Sequence, residues 1–265
     1  MDVKKTLLLG AIALPAAIGS MSSQPTVAVA QSAAPNWSGA YVGGSVGGAW
    51  GHSGQTDPGI PTVTSIPVGP VGDGHYGISG PVIGGGFGYN WQNGPWVAGL
   101  ETDLSWADVK GHSDVCGPAP GHACGTKVDS LGTVRARLGM VYGASSGYSG
   151  MPTKVAPVAN RGALVYVTGG FAYGGVHGWD DLTPASGSKT YTGWTAGAGV
   201  EWALQGNWSA KLEYLYVDLG KKHLFDIAPG VPETVSAKLN VVRFGLNYKF
   251  DSGGAWGKGP VYAKY

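Results

Sequence analysis

Apolar side chains recur at every second position through much of this chain, with polar residues or glycine between them. In 133–142, Val134, Ala136, Leu138, Met140 and Tyr142 alternate with Thr133, Arg135, Arg137 and Gly139. In 96–106, Trp96, Ala98, Leu100, Leu104 and Trp106 share one parity, broken by Thr102, against Glu101, Asp103 and Ser105. Further along, Trp194, Ala196, Ala198, Val200 and Trp202 oppose Thr195 and Glu201. Trp208, Ala210, Leu212, Tyr214 and Tyr216 oppose Lys211 and Glu213, and Val242, Phe244, Leu246, Tyr248 and Phe250 oppose Arg243, Asn247 and Lys249. Successive side chains of a strand face opposite sides. Each segment is therefore a strand with one greasy and one polar face.

Eight such strands are predicted, at about 37–50, 80–91, 96–110, 127–142, 161–176, 190–203, 208–220 and 236–250. The first two are rich in glycine and the fifth is apolar on both faces, so the alternation fixes their facing less firmly. Short turns are expected at 92–95 and 204–207, and long connections at 51–79, 111–126, 177–189 and 221–235. The segment 144–160 breaks this short–long alternation.

A soluble sandwich or lipocalin-like barrel would turn the greasy face inward. Three features favour a membrane barrel instead. Residues 1–30 read as an export signal: "MDVKK", an apolar stretch interrupted by Pro15, and small residues at Ala28–Ala30. The strands exceed the 5–6 residues usual in globular domains and suit the roughly 9–11 tilted residues that cross a bilayer. Aromatic residues gather at the segment ends: Trp37, Trp91, Trp96, Trp202, Trp208 and Phe250 at one level, Trp50 and Trp106 at the other. Two such girdles mark a membrane barrel. The predicted fold is an all-β, eight-stranded, antiparallel up-and-down transmembrane barrel over 31–250, followed by a tail at 251–265.

This topology decides where the arginines point. An Arg on the lipid face near midplane costs about 2–4 kcal/mol, so Arg135 and Arg137 belong inside. There they join Lys211 and Arg243, matched by the acids Glu101, Asp103, Glu201 and Glu213. An eight-stranded barrel is just wide enough for side chains to fill, so the eight charges are expected to form a salt-bridged network that closes the lumen. Glycines such as Gly84, Gly86, Gly197 and Gly199 would relieve crowding inside or permit sharp strand coiling.

Composition narrows the function classes. The chain has 265 residues, a net charge of +1 and only 12% charged residues; Trp and Tyr number 10 and 13 against 5 Phe. No basic run or acidic tail supports nucleic-acid binding. Cys116 and Cys124 fall in one outer connection of an exported chain and are expected to form a disulfide. His52, His75, His112, His122, His177 and His223 lie in or beside outer connections without a recognisable metal-ligand spacing. No metal site or cofactor is therefore expected. The "GGGFG" run at 84–88 lacks the following helix of a phosphate loop. Ser53, His112, Ser113 and Asp114 have suitable types for a hydrolase at the outer rim, but their spacing is not diagnostic, and no enzyme is expected.

The segments "WSGAYVGGSVGGAWG", "LETDLSW", "GTVRARLGMVYG", "YVTGGFAYGGV", "GWTAGAGVEWALQGNWSAKLEYLYVDLG" and "VVRFGLNYKF" resemble the small outer-membrane β-barrel proteins of alphaproteobacteria, the porin-family or outer-membrane immunogenic proteins with barrels similar to the OmpA transmembrane domain. The likeness covers nearly all of the chain after the export signal. It implies an eight-stranded barrel in the outer membrane of a Gram-negative bacterium, with loops facing the exterior and a surface-exposed, antigenic role. It implies no catalytic residue. Two departures stand out: the insertion at 144–160, and a tail that leaves both Phe250 and Tyr265 as candidates for the terminal aromatic assembly signal. The function expected is a structural surface barrel supporting envelope integrity. A narrow diffusion channel and a loop-mediated binder are the alternatives. Expected partners are outer-membrane lipid, the barrel-assembly machinery and peptidoglycan-associated or host-surface molecules.

Overall fold

A computed structural model of the chain describes residues 36–56, 74–114, 123–143, 162–181, 185–228 and 231–250. The expected leader at 1–30, Cys116, His122, the insertion at 144–160 and the tail at 251–265 lie outside the described residues. The alternating segments become eight strands: β1 (Gly39–Thr56), β2 (Gly74–Asn93), β3 (Trp96–Ser113), β4 (Cys124–Tyr142), β5 (Ala163–Asp180), β6 (Ala185–Ala203), β7 (Trp208–Ala228) and β8 (Val231–Lys249). Each pairs antiparallel with its sequence neighbours, and β1 pairs with β8, closing the barrel. Closure satisfies every edge, the condition for crossing lipid with strands.

Each strand turns its greasy parity outward. Leu100, Leu104, Val134, Leu138, Leu212 and Phe244 are exposed large apolar residues on the barrel exterior. The two uncertain cases resolve in the same way. In β5, Val165, Val167 and Phe171 face out while Leu164, Tyr166, Ala172 and Val176 are buried; in β2, Ile83 and Phe87 face out while Ile78 and Val82 are buried. From Trp96 to Trp106 is ten steps of β3. At about 3.3 Å per step and a tilt near 40°, that span is roughly 25 Å tall, the height of an outer-membrane apolar band.

The strands run further outward than the alternation indicates. β7 extends to Ala228 and β8 starts at Val231, so the long connection expected at 221–235 is mostly paired strand. The expected connection at 177–189 likewise shrinks, because β5 runs to Asp180 and β6 starts at Ala185. Beyond the outer aromatic belt the wall stands in water, so the outward parity no longer has to be greasy, while the backbone pairing continues.

Register shifts re-aim side chains in β7 and, with most consequence, in β4. In β4, Val128 pairs with Val176 and Ser130 with Gly175, leaving Asp129 as an extra residue. Such a bulge shifts the parity by one. Below it Leu131, Thr133, Arg135 and Arg137 are buried; above it Thr126 and Val128 are buried and Lys127 is exposed.

Candidate functional site

The inside of the barrel gathers the polar residues. Among the described residues, the buried charged side chains are Glu101, Asp103, Arg135, Arg137, Glu201, Lys211, Glu213 and Arg243, each at most 6% exposed. Regular pairing sets acids across from bases: Glu101 lies across from Arg135, Glu201 from Lys211, and Glu213 from Arg243.

Arg135 is the hub. Its Nη2 donates to Glu101 Oε1 at 2.7 Å and Asp103 Oδ2 at 2.9 Å, its Nη1 to Glu213 Oε1 at 3.0 Å, and its Nε to Thr133 Oγ1 at 2.9 Å. Arg243 donates to Glu213 Oε2 at 2.7 Å through Nε and spans both oxygens of Asp103 at 2.9 and 3.0 Å. Lys211 reaches Glu101 Oε1 at 2.7 Å. Arg137 sits lower: it binds Glu201 at 3.0 Å and Asn90 at 2.8 Å, and its guanidinium lies over the rings of Tyr41 and Tyr166 at 4.7 and 5.2 Å. Both tyrosine hydroxyls donate into the same network, Tyr41 to Glu101 at 2.6 Å and Tyr166 to Glu213 at 2.9 Å. Glu201 accepts from Ser209 and Asn247 on its other oxygen. A void of about 10 Å³ beside Glu101, Asp103, Lys211 and Arg243 is near the minimum for one water.

Glycine makes this narrowness possible. Gly47 stands across from Arg243, and a methyl there would come within 2.1 Å of the Val242 carbonyl oxygen and 2.8 Å of the Arg243 Cα. Gly88 serves the ring of Tyr41 in the same way, at 2.3 Å.

A second layer lies above the charges and was missed by parity reasoning alone. Ile78, Val82, Val109, Val128, Leu131, Val176, Leu215, Val217, Leu219, Leu239 and Val241 pack into one buried cluster inside the outer half. Its signal was present in "LYVDLG" and "LNVV", where the inward positions Leu215, Val217, Leu219, Leu239 and Val241 are apolar while Asp218 and Asn240 fall on the outward parity. At the outer mouth a hydroxyl cluster caps it: Ser53 Oγ donates to Thr126 Oγ1 at 2.9 Å, and the Tyr76 hydroxyl lies 2.6 Å from the same atom.

The aromatic belts need one correction. Trp91, Trp96, Trp208 and Phe250 are exposed at the turn end and Trp50 and Trp106 at the other, each between 48% and 57%. Trp202 is half-buried on the exterior. Trp37 does not belong with them: it is buried, packed with Val97, Leu164 and Tyr166 at the inner mouth. Its parity gave this away, since it lies an odd number of residues from the outward Trp50. It also precedes Gly39, whose φ of 124° turns the chain. Trp194, exposed beside Tyr216 at 5.4 Å, joins the outer belt and was not singled out.

The remaining candidates separate. Ser53 is buried inside, whereas His112 and Asp114 are exposed and 3.9 Å apart. These residues therefore do not converge on a nucleophile–base arrangement. His52, His75, His112, His177 and His223 are all exposed. Among the described residues no three His, Cys, Asp or Glu side chains group as metal ligands. Cys124 is buried at the start of β4 and is disulfide-bonded.

Comparison with known proteins agrees with this architecture. The model of the outer membrane protein beta-barrel domain matches residues 16–250. A 31 kDa outer-membrane immunogenic protein of Brucella melitensis biotype 1 is 35% identical, covering 93% of this chain and all of the relative. A 22 kDa outer membrane protein of Rhizobium leguminosarum bv. viciae is 33% identical over 66% of this chain and 67% of its own length. Among solved structures, OprG of Pseudomonas aeruginosa is 13% identical with a TM-score of 0.41, covering 81% of this chain and 97% of its own. This chain therefore belongs to the outer membrane protein β-barrel family, and it is a Gram-negative outer-membrane protein.

Proposed function

We propose that the protein is a structural barrel of the outer membrane that supports the envelope, holds its outer connections at the cell surface and keeps its own lumen closed. The observation that carries this reading is the double filling of the interior. The void beside Glu101, Asp103, Lys211 and Arg243 is about 10 Å³, and an apolar layer lies above the eight interlocked charges. Ions would have to displace salt bridges at one level and wet Leu215, Leu219 and Leu239 at the next. On this reading residues 1–30 are a removed leader, 31–250 the barrel and 251–265 a tail, and a Cys116–Cys124 disulfide braces the connection between β3 and β4. The names of the Brucella relatives, which call them immunogenic, support surface exposure of those connections.

The test is a planar-bilayer recording from the purified, folded protein. The expected trace stays at baseline in molar salt. A steady conductance that scales with protein added would replace this reading with a narrow diffusion channel.

A further inference from the structure

Above the outer belt, three strands set basic side chains side by side. Lys110 of β3 lies directly across from Lys127 of β4, and Lys127 directly across from His177 of β5. All three are exposed on the outside of the wall. Like charges directly opposite one another destabilise a sheet pair, so the row calls for a counter-charge. The bulge at Asp129 creates the row itself. With the regular parity of Arg135 and Arg137, Lys127 would point into the lumen; the extra residue turns it outward, beside Lys110.

Two carboxylates tie the row together but do not cover it. Asp108 lies 3.1 Å from both lysines, and Asp129 lies 3.4 Å from His177. Hydrogen bonds from Lys110 and then Lys127 hold the Asp108 carboxyl below its ordinary range. The acids are recessed, with side chains 25% and 38% exposed, whereas those of Lys110, Lys127 and His177 are 65%, 46% and 52% exposed. The nitrogen ends therefore present themselves outward. They line a groove of about 550 Å³ together with Trp179 and His112, and Asp129 borders it as well.

Height and chemistry identify what such a groove meets. Lys110 is four residues beyond Trp106 on the same strand. That is roughly 10 Å further from the membrane centre, at about 3.3 Å per residue and the usual barrel tilt. Flexible lysine stems can reach back toward the headgroup level. Trp179 lies across from Gly125, and a methyl on Gly125 would come within 2.4 Å of the indole. The ring thus rests against bare backbone while 41% of the residue stays exposed. An aromatic platform beside a row of phosphate-binding nitrogens suits a phosphorylated sugar.

We propose that Lys110, Lys127, His177 and Trp179 form a binding site on the outer wall for the phosphorylated saccharide headgroup of an outer-leaflet glycolipid. The site is separate from the lumen and stands or falls independently of the closed-pore reading. The two lysines and the histidine hold the phosphate, and the indole stacks on the sugar to which it is attached.

The test is native mass spectrometry of the folded full chain in detergent, titrated with bis-phosphorylated lipid A. Parallel titrations use enzymatically dephosphorylated lipid A, phosphatidic acid and inorganic phosphate. The wild type is expected to bind lipid A at least ten-fold more tightly than the dephosphorylated form. Lys110→Gln combined with Lys127→Gln is expected to remove most of that difference, and the Lys→Arg pair to restore it. Lys238→Gln, a change to an outward lysine on β8, is expected to leave binding unchanged. Trp179→Ala is expected to weaken lipid A about three-fold without affecting phosphatidic acid. A heat-modifiable gel shift verifies that each variant is folded; should the Gln pair not fold, Lys110→Gln alone and Trp179→Ala carry the comparison. Equal binding of dephosphorylated lipid A, equal affinity in the folded Gln variants, or no lipid A binding by the wild type would overturn the proposal. Competition by inorganic phosphate at the same concentration as lipid A would overturn its assignment to a lipid.

Discussion

The inner half of the barrel interior and its outer half are filled by opposite chemistries within the same wall. At the level of Glu101, Arg135, Glu213 and Arg243, four acids and four bases lock together, with tyrosine and threonine hydroxyls completing their coordination. Two to four residues further along the same strands, Leu215, Leu239, Val241 and Leu131 pack in an apolar cluster. Both sets of side chains occupy the inside of one eight-stranded cylinder, an interior of the width that side chains can fill. They differ in what a single change does. A charge network is strong only when complete, because each member left alone is a buried, unpaired ion. An apolar layer loses stability in proportion to the volume removed.

That contrast orders the expected effects. The largest belongs to Arg135→Ala, which takes one partner from each of Glu101, Asp103 and Glu213 and leaves the buried network one positive charge short. Urea unfolding of the vesicle-folded protein should show a loss of about 3–5 kcal/mol. A smaller loss, about 2–4 kcal/mol, is expected for Leu239→Ala in the outer half, where neighbouring aliphatic chains relax into part of the cavity. Should the two losses come out in reverse order, the network would not be the stronger element of the interior. The smallest effect is expected outside the barrel. Lys238→Ala removes a solvent-facing pair with Asp218 at 3.5 Å, and the change in the same unfolding measurement should be within about 1 kcal/mol.

The charged half was legible in the sequence and the apolar half was not, for a physical reason. Arg135 and Arg137 stand out because an outward arginine in lipid is costly, so parity and polarity together force them inside. Leu215 and Val217 carry no such signal. A greasy residue is tolerated on either face of a barrel strand, and the run from Tyr214 to Val217 is apolar on both sides. Membrane chemistry also set how far each strand could be read. Alternation marks β3 and β7 where they touch lipid, and it fades beyond Trp106 and Tyr216, where the outer face meets water. The bulge at Asp129 was illegible because one extra residue leaves the composition of β4 unchanged and only its register altered. Trp37 was misread because its level was considered and its parity was not.

The central claim is that the two fillings each close the interior. The most direct test is a planar-bilayer recording of the Arg135→Ala and Arg137→Ala double variant, verified as folded by its heat-modifiable gel shift. With the charge layer broken, the apolar layer above it should remain dry, and the trace should show at most brief, irregular openings. A steady open-channel current from this variant would contradict the account, because it would mean that the ion pairs were the only barrier in the barrel.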